Sequence, residues 1–429
     1  MKRLLFFFVF ATGCVSSVHA QFALDECQVL ARENYPLIKQ YDLIEQSTGY
    51  SVANAAKAYL PQVSLAAQAT HQSDVATFPQ QMTDIYKQFG IDMKGLRKDQ
   101  YKIALEMNQT IWDGGFTRAQ KDISKAEGEI SAQSVETELY TLRERINQLY
   151  FGILIIEEQL QQNDLLQALL QNNYKTAEAF VRNGVAMQGD LNVIKAEQLS
   201  VSQQRIQIES AVTAYRRMLS VMTGGKVDEA ATLEKPAIPA VFPNETGNRP
   251  ELQLFAARAA QFDARKRAVE ASVMPRLGFF AQGFYGNPGL NLFKDMTEDA
   301  WSWNYMAGVR LQWNFGSFYT KKGNMRKLSL AQRQVDNQRE TFLFNNGLQQ
   351  IGQQNAIEKM RKIMSDDDEI IKLRTSIRRS SEAKYANGTV TVNDLLRDIT
   401  AENQALLNKS LHELEWLKNI YELKYIMND

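Results

Sequence analysis

Four consecutive carboxylates, Asp366-Asp367-Asp368-Glu369, are the densest run of hard-ligand side chains in the chain, and a cation site is the chemistry they would support. They fall in a stretch of good helix formers, where successive side chains point around the helix instead of converging. A solvated helix face is therefore the reading the pattern favours. The three histidines, His19, His71 and His412, are far apart in sequence and make no His-rich metal site. The two cysteines, Cys14 and Cys27, form no disulfide framework, and Cys27 reads as a small buried residue of the first helix. There is no Gly-rich phosphate loop, zinc-ligand cluster or nucleophile elbow, so no catalytic residue, metal or cofactor is expected.

Composition narrows the remaining classes. Across 429 residues, 49 basic and 49 acidic side chains cancel, which argues against a nucleic-acid partner. An apolar share of 44% argues against disorder. Residues 1–20 read as a secretory signal: Lys2 and Arg3, the apolar run Leu4–Ala11, then small residues ending at Ala20. A lipoprotein signal with lipid on Cys14 is the alternative. No later stretch has about 20 consecutive apolar residues, so any membrane span must be built from strands.

Prolines divide the chain. None lies between 80 and 235 and none after 288. Residues 116–183 and 320–387 are rich in Gln, Glu, Lys, Ala, Leu and Arg, so very long helices are expected there. Leu139, Leu142, Ile146, Leu149, Ile153, Ile156 and Leu160 step by three and four, a narrow stripe at coiled-coil spacing. A helix of about 65 residues is a rod roughly 100 Å long, which must lie beside other rods to bury such a stripe.

Four short segments alternate with period two instead. They lie near 62–70, 101–112, 276–285 and 303–314, the third less cleanly than the others. Four of the five tryptophans, Trp112, Trp301, Trp303 and Trp313, sit in or beside them. Apolar-out, polar-in strands with terminal aromatics fit a transmembrane barrel, with Trp112, Trp303 and Trp313 as interfacial anchors. Lys102, Glu106 and Arg310 would then face the lumen. A soluble sheet packed on helices alternates equally well.

The punctuation is duplicated. Tyr59-Leu60-Pro61 parallels Val273-Met274-Pro275, Trp112-Asp113-Gly114-Gly115-Phe116 parallels Asn314-Phe315-Gly316-Ser317-Phe318, and Asn183-Gly184…Asp190-Leu191 parallels Asn387-Gly388…Asp394-Leu395. This predicts a first repeat over 21–223 with a hairpin tip at 184–190. An irregular linker over 224–250 follows, then a second repeat over 251–429 with a tip at 388–394. Gly184 and Gly388 would end helices, and Asp190 and Asp394 would cap the next ones. Four strands cannot close a spanning barrel, and lipid forbids open edges, so two, three or four copies would give 8, 12 or 16 strands.

With these features together, the sequence resembles the TolC-type outer-membrane efflux proteins. The resemblance implies a mainly α-helical chain with a small transmembrane β part. Three copies would share a twelve-strand barrel in the outer membrane above a long helical tube in the periplasm. It implies no enzymatic activity, and as partners a periplasmic adaptor protein and an inner-membrane pump. The hairpin turns at Gly184 and Gly388 would form the periplasmic tip, where the adaptor docks. Asp394 matches the first of two family gate acids. The second position holds Arg397, with Asp398 next to it, a departure from a double acidic ring. Tyr385 matches a tyrosine that locks neighbouring helices, and Asp190 its usual partner. The alternative function is a periplasmic coiled-coil scaffold without a pore.

Overall fold

The computed structural model describes residues 21–238 and 249–428. The signal segment 1–20, with Cys14 and the cut after Ala20, and residues 239–248 of the irregular linker lie outside the described residues. Strand β1 (Gln21–Phe22) is followed by helices α1 (Leu24–Asn34) and α2 (Gln40–Ala56), strand β2 (Gln62–His71), helix α3 (Gln80–Gln88) and strand β3 (Asp99–Trp112). Then come the long helix α4 (Phe116–Arg182), α5 (Gln188–Met222) and strand β4 (Thr232–Leu233). The order then recurs: α6 (Pro250–Ser272), β5 (Arg276–Asn287), α7 (Leu292–Thr297), β6 (Ser302–Gln312), α8 (Ser317–Ala386) and α9 (Val392–Met427). Helices α4 and α8 have 67 and 70 residues, each about 100 Å long at the usual rise. No helix among the described residues is long and apolar enough to cross a membrane.

By contacts the chain forms two compact units, each drawn from both repeats. A sheet unit takes Tyr41–Ser134 and Glu251–Glu340. A helical unit takes the described residues among Met1–Gln40, Val135–Pro250 and Thr341–Asp429.

In the sheet unit the order is β2-β3-β5-β6, antiparallel throughout, so the hairpin of each repeat supplies one half. Strands β2 and β6 are the edges, and the outer side of each has no partner strand among the described residues. The second strand of each repeat, β3 and β6, hands over to a long helix at a similar corner. The buried Asp113 carboxylate accepts the N–H groups of Gly115 (3.0 Å) and Thr117 (2.7 Å), the first turn of α4. It also accepts the Tyr59 hydroxyl at 2.8 Å, which ties the approach to β2 into the same corner. Asn314 accepts the Gly316 N–H at 3.0 Å in the second repeat. Gly114 has φ +68°, and a Cβ there would lie 2.2 Å from the Met274 side chain, so only glycine fits the corner.

In the helical unit, α4 supplies Leu142, Ile146, Tyr150, Phe151 and Ile153 to a core shared with Leu24, Cys27 and Ala31 of α1, Leu219 of α5 and Leu417 of α9. The expected leucine–isoleucine stripe thus lies partly at the centre of this core. Tyr150 donates its hydroxyl to the carbonyls of Phe22 (2.7 Å) and Glu234 (2.6 Å), which pins the short parallel pair β1–β4. Burial raises the Cys27 thiol to about 11, so it is protonated at neutral pH.

Candidate functional site

Two hairpin turns join α4 to α5 and α8 to α9, and they are built alike. Gly184 (φ +70°) and Gly388 (φ +68°) adopt the left-handed conformation that ends a helix. The Val185 N–H donates to the Phe180 carbonyl at 2.8 Å and the Thr389 N–H to the Lys384 carbonyl at 2.9 Å, each closing a Schellman motif. The next helices start differently from each other. Asp394 is not the N-cap expected from the sequence. Thr391 is: its hydroxyl accepts the Asp394 N–H at 3.2 Å, and the Asp394 carboxylate accepts the Thr391 N–H at 3.3 Å. Asp190 stands at the matching third helical position, accepting the Met187 N–H at 3.1 Å, but its own N–H goes to the Met187 carbonyl at 3.0 Å, because the Met187 side chain carries no oxygen to match the Thr391 hydroxyl. Thr391 was legible as Thr-x-x-Asp ahead of an apolar run. The Asp-Leu match drew attention to the carboxylate instead.

Hydrogen bonds from Thr391 hold the Asp394 carboxyl below the usual carboxylate range, with the nearby Arg397 charge adding to the effect. Arg397 is 71% exposed in its side chain and reaches Asp394 at 3.7 Å and Asp398 at 3.6 Å, long contacts in water. Asp398 corrects the sequence expectation. It is 9% exposed and accepts the Ser381 hydroxyl at 2.5 Å, so it fastens α9 to α8 and is not free to constrict a pore. One turn beyond, Arg378 pairs with Glu382 and with the buried Glu402. Tyr385 is 9% exposed and tilts against Phe180 at 5.8 Å. Burial, and to a lesser degree the Asp190 charge, raise its hydroxyl's pKa, yet that hydroxyl has no hydrogen-bond partner among the described residues. The Leu191 and Leu395 that follow the two acids meet in one core with Ile194 and Ile399.

The sheet presents two unlike faces. Opposite one another on one face stand Leu65 and Leu105, Ile103 and Tyr285, Phe279 and Val309, and Leu277 and Leu311. Leu65 is 74% exposed, and Ile103, Val309 and Leu311 are also exposed, so no helix among the described residues covers this face. A soluble sheet packed on helices would have buried these side chains, and among the described residues they are not buried. The other face carries a polar ladder. Lys102 donates to Gln282 at 3.2 Å, and Gln282 donates to Glu106 at 2.5 Å. Aromatics mark both ends of the sheet. Trp303, 81% exposed, lies 5.0 Å from Tyr285, which also meets Trp301 at 5.2 Å. At the other end are Trp112 and Trp313, the latter 4.8 Å from Phe315 and donating its indole N–H to the Val273 carbonyl. From Tyr101 to Trp112 the strand runs about 36 Å, which a tilt of about 40° reduces to roughly 28 Å, close to a bilayer's apolar thickness.

This geometry matches known proteins. Residues 29–225 match the family described as Outer membrane efflux protein. No curated protein matches the chain by sequence. Among solved structures, the outer-membrane channel OprN superposes with a TM-score of 0.68 at 14% identity, covering 94% of this chain and 89% of that one. The outer membrane protein VceC from Vibrio cholerae gives 0.64 at 16% identity, with 94% of each chain covered. The open state of the Neisseria gonorrhoeae MtrE channel gives 0.62 at 15%, covering 94% and 88%. The fold is that of the outer-membrane efflux channels. The resemblance to TolC-type outer-membrane efflux proteins therefore holds in fold over nearly the whole chain, and in sequence over much of its first half. A mainly helical chain with a small, unclosed four-stranded sheet is the efflux-channel architecture that the family resemblance implied.

One further expectation changes within this efflux-channel fold. The acidic run 366–369 is not wholly a solvated face, because Asp367 is buried against His412 at 2.9 Å, while Asp368 stays exposed and takes Lys409 at 2.6 Å. Both contacts join α8 to α9. They were invisible in sequence because the partner residues lie more than forty positions away.

Proposed function

We propose that this protein is the outer-membrane exit duct of a tripartite efflux or secretion system. The observation that carries the reading is the open four-stranded sheet, with two unpaired edges and one exposed apolar face. Neither edge tolerates lipid unless another copy pairs with it. Three copies, as the family resemblance implies, close twelve strands with the apolar face to lipid and the polar face to water. Trp112, Trp303 and Trp313 anchor the two interfaces. The hairpins form the periplasmic end of a helical tube, where Gly184 and Gly388 shape the tips that receive a periplasmic adaptor. An inner-membrane pump delivers cargo, and the duct itself does no chemistry.

The gate in this reading is Asp394 with Arg397. Copies around the axis would set three carboxylates beside three guanidiniums, a weakened field in place of a double acidic ring. Tyr385 and Asp190 supply contacts that hold the hairpins closed. The test combines the mass of the detergent-extracted complex, heat-modifiable migration from outer-membrane fractions and conductance in planar bilayers. A trimer that conducts supports the duct. A soluble, non-conducting protein would mean a periplasmic coiled-coil scaffold.

A further inference from the structure

On the polar face of the sheet, Arg276 of β5 stands opposite Gln312 of β6, and Arg310 of β6 opposite Gly278 of β5. The two arginines are therefore diagonal neighbours on one face, with Cα atoms about 7–8 Å apart. Like charges so placed oppose sheet formation, and among the described residues neither guanidinium donates a hydrogen bond or meets a carboxylate. Each instead lies over a phenyl ring, Arg276 over Phe116 at 5.1 Å and Arg310 over Phe280 at 4.8 Å. Glycine at 278 leaves the floor between Arg276 and Phe280 without a side chain, and the result is a cavity of about 430 Å³. The nearest acid lining it, Asp113, already accepts three hydrogen bonds. Glu106, four residues up the neighbouring strand from Thr110 in the arginine row, is bonded through Gln282 to Lys102. Two exposed cationic forks therefore line this hollow, beside Phe116 and Phe280, with no carboxylate paired to either among the described residues.

We propose that this hollow is a binding station for organic anions, a carboxylate or sulfonate on a flat aromatic body. The forks would grip the anionic oxygens, and Phe116 and Phe280 would hold the ring edge. As a station for cargo it rests on the duct reading, which makes this face the lumen wall at the level of Trp112 and Trp313. Binding itself needs only the fold.

Naphthalene-1-sulfonate is titrated calorimetrically into the full chain in detergent, beside its cationic analogue trimethyl(1-naphthyl)ammonium. The sulfonate should bind and the ammonium should not; equal binding of both overturns the proposal without recourse to any variant. R276Q and R310Q should each weaken the sulfonate about tenfold, the usual effect of losing one charge-assisted contact. R310K, which keeps the charge but loses the fork, should weaken it less. Unchanged affinity in both glutamine variants overturns the site. Absence of wild-type conductance would count against the duct alone, so the two failures are distinguishable.

Discussion

The Thr391 hydroxyl donates to the Asp394 carboxylate at 2.7 Å, while the same oxygen accepts the Asp394 N–H at 3.2 Å. This reciprocal pair fixes the first turn of α9 and the position of the one carboxylate that the proposed gate depends on. The first repeat lacks it, because Met187 stands where Thr391 does. Replacing Thr391 with alanine should therefore free the start of α9, with amide exchange over 391–396 accelerated roughly fivefold, the ordinary consequence of losing a hydroxyl N-cap. The reverse change, M187T, should slow exchange at the start of α5. Hydrogen exchange read by mass spectrometry checks both, and equal protection in wild type and T391A would remove Thr391 from any tip-holding role.

Asp394 and Arg397 should act on ion flow with opposite signs. Removing the carboxylate in D394A leaves the arginine ring unopposed and should shift reversal potentials toward anion preference. Removing the guanidinium in R397A exposes the carboxylates and should shift them toward cations. D398N should do neither, because Asp398 lies between α8 and α9 on Ser381 and its loss would appear as a less stable hairpin. Bilayer recordings in a salt gradient separate the three. Identical potentials in all of them would put the constriction elsewhere.

How far these features were readable follows from their range. The strands, the long helices and the repeated corners are local: period two, absence of proline, and glycine at a forced turn are each contained in a few adjacent residues. The sheet order is not among them: each repeat pairs its own two strands, but the β3–β5 junction that joins the halves is a tertiary contact. Asp398 and Asp367 were misread for the same reason. An acid on a charged helix looks solvated until the partner helix of the hairpin is placed, and Ser381 and His412 arrive only through tertiary contact. Arg276 was overlooked because it sits at the start of the least regular strand.

The two faces of the sheet should differ sharply in tolerance. Leu65 and Val309 lie on the exposed apolar face, and an arginine at either position would cost about 2–4 kcal/mol near the middle of a bilayer. L65R and V309R should lose heat-modifiable, membrane-extracted protein. Arginine at Ser64, one residue along and on the other face, should leave assembly intact and alter only conductance. If all three assemble equally, the apolar face does not meet lipid.

Asp113 links the sheet to pH. Burial alone would raise its carboxyl, but hydrogen bonds from Thr117, Tyr59 and Gly115 outweigh that and leave it below the ordinary value. A depressed carboxyl stabilises the fold above its unfolded pKa of about 3.9, and that contribution disappears as pH falls through the lower folded value. At pH 7, D113N keeps one accepting oxygen but turns an NH2 toward the Thr117 N–H. It should lose about 1–3 kcal/mol, read as a lower temperature at which the assembled form dissociates in detergent. Asn314 shows that asparagine can hold such a corner through a single Gly316 N–H, so the variant should still fold. The gap between wild type and D113N should be full at pH 6 to 7 and should narrow below pH 4 as Asp113 protonates in the wild type. A gap that stays constant down to pH 2.5 would mean that the charge on Asp113 contributes nothing, and that the corner rests on its glycines alone.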